Sequence, residues 1–267
     1  IFLFLTFYLI GFAQNKKIDT ANMLCSYVYE YLTDTLTGEQ QRKEDLLYLQ
    51  IGAECSKCYS YYTYQCDSLM ASPNGDKLWD SFLAEAVGKG LKGKQLYNAI
   101  PHRRMSATIY KNYPQGKITV TDFLLGQYYL YEDALNSQEW NIESDSMKVV
   151  LGHECQKATC SFRGRKWTAW FALDVPMSDG PWKFCGLPGL IMEVYDKGRQ
   201  QYFCIKGLQK DAGTPIVYDV FNRKRIKTDR KAFLKSEYNY FHNQNSINEA
   251  TSGISLGLSD EKRNYDL

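Results

Sequence analysis

The sequence predicts an α+β protein that is mainly β, built as an antiparallel sheet with covering helices. Three observations carry this prediction. Short segments alternate apolar and polar residues with period two, the spacing of side chains on a pleated strand. Tight turn signals such as Arg163-Gly164-Arg165 and Lys197-Gly198-Arg199 join such segments, and short connections imply antiparallel neighbours. Aromatic residues make up 15% of the chain, with 21 Tyr and 5 Trp, which suits half-buried pleated surfaces. At 267 residues the chain can bury a full core, and a single β-rich domain over 14–245 is expected.

The opening run, IFLFLTFYLIGFAQN, ends in small residues at Gly11 and Ala13 and reads as the core of a signal peptide over 1–13, truncated at its start. It falls short of the roughly 20 apolar residues that a spanning helix needs. No Cys follows the cleavage point, so no lipid anchor is expected, and the mature chain is read as periplasmic or secreted from about Gln14.

Residues 24–32 place Cys25, Tyr27, Tyr29 and Tyr31 on one strand face, and DLLYLQIG pairs with them across a long charged loop. A helical insert is expected at about 58–97. In it Trp79, Phe82, Leu83, Ala86 and Val87 share a helical face that Gly88 and Gly90 terminate, while CYSYYTYQCDSLMAS fits helix and strand equally. ATIYKNYP, KITVTDF and GQYYLYED read as strands, and NSQEWNIES as a polar connector. Further strands follow in 146–176, in LIMEVYD and in QYFCIKGLQ. A last helix begins at Thr228 or Asp229, either of which can cap it. The polar tail 246–267 is expected to be loosely ordered.

Net charge is +2, from 32 Lys and Arg against 30 Asp and Glu, too near balance for nucleic acid to be the general partner. In an exported chain, eight Cys suggest disulfides, although eight permit 105 pairings. A competing metal reading groups His153, Cys155 and Cys160, with Cys185, as a soft site for copper or zinc; the pair Cys55 and Cys58 also has zinc-like spacing. Other motifs fail on context. Gly253-Ile-Ser255-Leu-Gly257 has no His after it. The phosphate-loop-like run Gly88 to Lys94 follows a helix and carries Gln95 where a hydroxyl is needed. His153-Glu154 has no second His one turn on. A carboxylate hydrolase would need Glu154, Asp174 and Glu193 to converge. The basic run 222–231 is either an anion-attracting patch or a charged hairpin leading into a helix.

The densest aromatic and turn chemistry lies in Trp167 to Asp196. Asp179-Gly180-Pro181 and Leu187-Pro188-Gly189-Leu190 read as two turns, the second of type II with Gly189 at positive φ. Between them Trp182 and Phe184 are positioned to fold back onto Trp167, Trp170 or Phe171.

The hexapeptide Gly186-Leu187-Pro188-Gly189-Leu190-Ile191 resembles the signature of the GLPGLI family. Trp167-Thr-Ala-Trp170 and Gly180-Pro181-Trp182-Lys183-Phe184 sit in the same context, and Gly152, Cys155 and Ala158 precede them. The resemblance implies a secreted or envelope protein of Bacteroidota-type bacteria, often encoded near outer-membrane receptors, with no established activity. The core is also similar, more distantly, to the curved half-barrel of lipoprotein-carrier proteins, which implies a curved sheet enclosing an apolar groove. The expected protein is therefore a non-enzymatic binding or envelope-assembly protein without a cofactor, whose partner is an envelope protein, a peptide or an apolar ligand. Its aromatic lip would comprise Trp167, Trp170, Trp182, Phe184, Leu187 and Pro188. Metal handling and a carboxylate hydrolase stand as alternatives.

Overall fold

The computed structural model describes residues 16–32 and 42–243. The apolar run at the start, the tip of the charged loop, the tail and its Gly-x-Ser-x-Gly motif lie outside the described residues.

Fourteen strands and four helices are described. They are β1 (Lys16–Thr20), β2 (Met23–Leu32), β3 (Arg42–Ile51), β4 (Ser56–Ser60), α1 (Tyr61–Met70), α2 (Gly75–Gly88), α3 (Gly93–Ala99), β5 (Thr108–Lys111), β6 (Lys117–Leu124) and β7 (Gln127–Ala134). There follow β8 (Asn141–Val150), β9 (His153–Phe162), β10 (Arg165–Ala172), β11 (Leu190–Asp196), β12 (Gln201–Lys210), β13 (Pro215–Tyr218), β14 (Arg225–Lys227) and α4 (Arg230–His242). Twelve strands form one open sheet in the order β14-β7-β6-β5-β4-β3-β2-β12-β11-β10-β9-β8, and β1 pairs separately with β13. Every neighbour in the large sheet is antiparallel except β14, which lies parallel to β7. No described helix is long and apolar enough to cross a membrane.

The sheet is strongly rolled. Asp133 on β7 and Arg163 in the β9–β10 turn form an ion pair at 2.8 Å. Strands β7 and β10 are eight steps apart in the sheet order, which would separate them by ~38 Å on a flat sheet. Only a curl that brings the two flanks together lets these side chains meet.

Local chemistry accounts for the elements. Alternation on β2 buries Met23, Cys25 and Tyr27 and leaves the residues between them half-exposed. The hairpins at Leu125-Gly126, Leu151-Gly152 and Arg163-Gly164 each have two consecutive residues at positive φ, the type I′ geometry whose twist matches antiparallel strands. Ser60 resolves the ambiguous segment. It ends β4 and caps α1 by accepting from the Thr63 N–H at 3.1 Å, so Cys58 belongs to a strand and helices occupy 61–99. The run from Gly88 to Gly93 ends α2 and opens α3. Asp229 caps α4 by accepting from the Ala232 N–H at 2.9 Å.

Several expectations are corrected. NSQEWNIES is more than a connector: from Asn141 it is the edge strand β8, whose polar, mostly exposed side chains suit a sheet edge. The basic run forms no hairpin; Arg225–Lys227 is β14, and Arg223 and Arg225 turn back onto Asp67 and Asp219. The eight cysteines are free thiols, seven buried and Cys204 half-buried. Strand geometry keeps two of the candidate pairs apart. Cys25 and Cys58 lie on β2 and β4 with β3 between them, ~9.6 Å apart at the usual strand spacing, beyond the 4.4–6.8 Å that a disulfide's Cα atoms span. Cys155 and Cys160 lie five residues apart on one strand, ~16 Å at the usual rise.

Candidate functional site: an aromatic cavity behind a plug loop

The connection from β10 to β11, residues 173–189, turns into the concave face of the sheet and plugs it. Lys111 of β5 fixes the plug from below: its ammonium, buried with the side chain 3% exposed, pairs with Asp179 and donates to the carbonyls of Gly180 and Phe184. The Trp140 indole donates to the Cys185 carbonyl at 2.8 Å, and Gln138 donates to that of Lys183 at 3.1 Å. The plug is thereby tied to the connection between β7 and β8 as well as to β5.

The turn chemistry differs from the expected type II pattern. The positive φ falls at Gly186, at 93°. Gly189 is needed for close approach instead, because a Cβ there would stand 2.0 Å from the carbonyl oxygen of Ala172. Trp182 itself has a φ of 52°, a strained conformation for a bulky residue. Its N–H donates to the Cys58 sulfur at 3.3 Å.

This backbone delivers an aromatic cluster. Phe184 sits edge-on to Trp167 with centroids 4.7 Å apart, and Trp182 lies 5.3 Å from Phe184 and 6.4 Å from Trp167. Between the cluster and α4 is a cavity of about 240 Å³, bounded by Trp167, Trp182, Tyr29, Tyr131 and Phe203, with Leu234 and Gln201 at its sides. Four cationic side chains, Arg163, Arg165, Lys183 and Arg230, complete the wall. Behind them, Asp133 pairs with Lys183 and Arg163 at 2.8 Å each and with Arg230 at 3.7 Å. Asp196 holds Arg165 at 2.6 Å. Burial drives the Lys183 ammonium's pKa down and Asp133 opposes that shift; burial also raises the Tyr131 phenol far above its ordinary range.

Of the six residues expected at the lip, Trp167 and Trp182 line the cavity. Phe184 is fully buried behind them, and Leu187 is core. Pro188 is exposed. Trp170 alternates away from Trp167 along β10 and lies under the Lys148 ammonium, 4.7 Å from its ring centroid. The sequence reading missed Tyr29, Tyr131, Phe203, Arg163, Lys183, Arg230 and Asp133 as site residues. Only Lys183 carried a local signal, a cation between two aromatic residues in an apolar turn.

The alternative sites fare differently. His153 pairs with Asp174 at 2.6 Å, and the Cys185 thiol faces Asn136 and Gln138. No group of three or more His, Cys, Asp or Glu among the described residues is placed to hold a metal ion, so His153, Cys155, Cys160 and Cys185 are not gathered into one site. Burial pushes the Cys155 thiol up to about 11 and the Cys160 thiol up to about 12, away from the thiolate that metals bind. Glu193 is held by Lys148 and by Arg199 at 3.7 Å, while Glu154 is exposed. A second, smaller cavity of about 60 Å³ is lined by Lys57, which is 5% exposed. Its ammonium donates to the Val217 carbonyl at 3.2 Å and lies over the rings of Tyr59 and Tyr110, and burial drives its pKa down to about 8.

The fold thus defines a mainly β protein with one rolled, open antiparallel sheet around an aromatic, cation-lined cavity. Residues 161–193 match a family profile described as "Protein of unknown function (Porph_ging)", a match that fits a Bacteroidota-type family. The matched stretch runs from the end of β9 through the plug into β11. No curated protein matches the chain. Among solved structures, the chain is similar to PNGF-II in two crystal forms. One aligns at TM-score 0.52 with 10% identity, covering 82% of this chain and 33% of that one. The other aligns at TM-score 0.49 with 11% identity over 80% and 32%. The chain spans about a third of the length of PNGF-II, and the likeness is one of fold.

Proposed function

We propose that the chain is an exported, non-enzymatic binding or envelope-assembly protein of the GLPGLI type, and that it holds its partner in the cavity behind the plug. The observation carrying this reading is the cavity itself: about 240 Å³ lined by five aromatic residues, beside a plug that is pinned to β5 and to the connection between β7 and β8. Concave, mostly apolar sites with a few convergent polar groups are the usual form of a small-ligand site. The strained φ of Trp182 adds support, because such conformations persist where the surroundings over-determine them and gather at ligand clamps. The hexapeptide 186–191 lies inside the stretch matched by the family profile, which supports the family assignment.

The neutral fluorophore N-phenyl-1-naphthylamine tests the reading. It is expected to bind saturably, one per chain, and Trp182→Ala is expected to remove that binding while the thermal melt remains cooperative. A Trp182→Ala variant with unchanged stability and capture would refute it.

A further inference from the structure

We propose that the cavity takes a small amphipathic anion: a flat apolar body of one or two rings carrying a carboxylate, sulfonate or phosphate. The inference rests on the binding reading above and adds the chemistry of the ligand.

The wall divides into two kinds of surface. Trp167, Trp182, Tyr29 and Phe203 offer apolar ring surface, with Tyr29 and Phe203 stacked on each other at 4.4 Å and 3° between their planes. Arg163, Arg165, Lys183 and Arg230 bring four positive charges to the wall, Arg165 already paired with Asp196, and no Asp or Glu among the described residues lines the cavity. Asp133, behind the wall, is shared by three of the cations, so its single charge does not neutralise them.

A neutral ligand filling the space would strip water from the guanidinium groups and return no hydrogen bond. An anion returns both charge and acceptor oxygens, and Arg is suited to planar, bidentate recognition of such groups. The volume limits the rest of the ligand. About 240 Å³ falls below the ~300–1,000 Å³ typical of drug-sized sites, which leaves room for one or two rings and excludes a long chain folded inside.

The test compares two probes with the same fused-ring body on the full chain: 1-anilinonaphthalene-8-sulfonate and its uncharged parent, N-phenyl-1-naphthylamine. The sulfonate is expected to bind one per chain and on the order of tenfold more tightly, the scale of a charge-assisted hydrogen bond. Arg163→Gln and Arg230→Gln should each weaken the sulfonate by about tenfold while the neutral probe binds as well as before or more tightly, a guanidinium no longer being desolvated. Retained neutral binding certifies that each variant is folded; should Arg163→Gln fail to fold, Arg230→Gln in the first turn of α4 decides alone. Equal affinities for the two probes, or arginine variants that do not discriminate between them, overturn the anion proposal and leave the binding reading intact. Failure of both probes to bind saturably overturns the two together.

Discussion

Replacing Lys111 by Met removes the ammonium that fixes the plug and leaves the methylene stem in place. Three groups then lose the ammonium: the Asp179 carboxylate, on a side chain 12% exposed and left with the Gly180 N–H alone, and the carbonyls of Gly180 and Phe184. Breaking a buried pair by removing one member costs ~3–5 kcal/mol, because an uncompensated charge remains inside. Against a typical total of ~5–15 kcal/mol, the variant should be severely weakened yet still measurable. Urea unfolding followed by tryptophan fluorescence reads the loss directly, since Trp182 sits in the plug. Asp179→Asn alone should also destabilise, by leaving a buried ammonium with only carbonyl acceptors. The double variant should be more stable than the sum of the two losses by at least ~2 kcal/mol, the signature of coupled neighbours. A loss below ~1 kcal/mol for Lys111→Met, or additivity within ~0.5 kcal/mol, would refute the role given to this pair.

Two further outcomes follow from the same structure. Gly189→Ala should cost ~3 kcal/mol or more, since its Cβ meets a backbone oxygen at 2.0 Å, whereas Gly186→Ala should cost only the ~1–2 kcal/mol of a left-handed conformation, its nearest neighbour being 3.6 Å away; chemical denaturation yielding the reverse order would contradict the assigned roles. Lys57 binds its proton more weakly in the folded chain, at about 8 against an ordinary 10.5, so between those values the unfolded chain holds more protons and stability rises with pH. That gain is complete above 10.5 and lost as pH falls through about 8. Lys57→Met should flatten this limb of the stability profile and raise stability at pH 7; an unchanged slope would show that another group carries it.

How much was legible in the sequence varied with how local the cause was. Period-two alternation located β2, β3, β10 and β12, and the capping Asp229 located α4, because each depends on neighbours within a few residues. Strands β1, β13 and β14 escaped: they are three to five residues long and owe their conformation to partners far along the chain. The even count of cysteines suggested disulfides, yet all eight are free thiols, and β3 stands between Cys25 and Cys58. At the site, Trp167 and Trp182 stood out by composition. The cations did not, because Arg163 and Lys183 acquire their meaning from Asp133, thirty and fifty residues away, and only the roll of the sheet brings the three together.

The cavity wall begins at Tyr29 and ends at Leu234. A chain emerging from its N-terminus can pair β2 with β3 early, but the space between the plug and α4 has no roof until residue 234 has been made. Completion of the cavity wall is therefore a late property of this fold. Fragments that stop before α4 lack Arg230 and Leu234, and so present a flatter aromatic surface where the complete chain has a walled cavity.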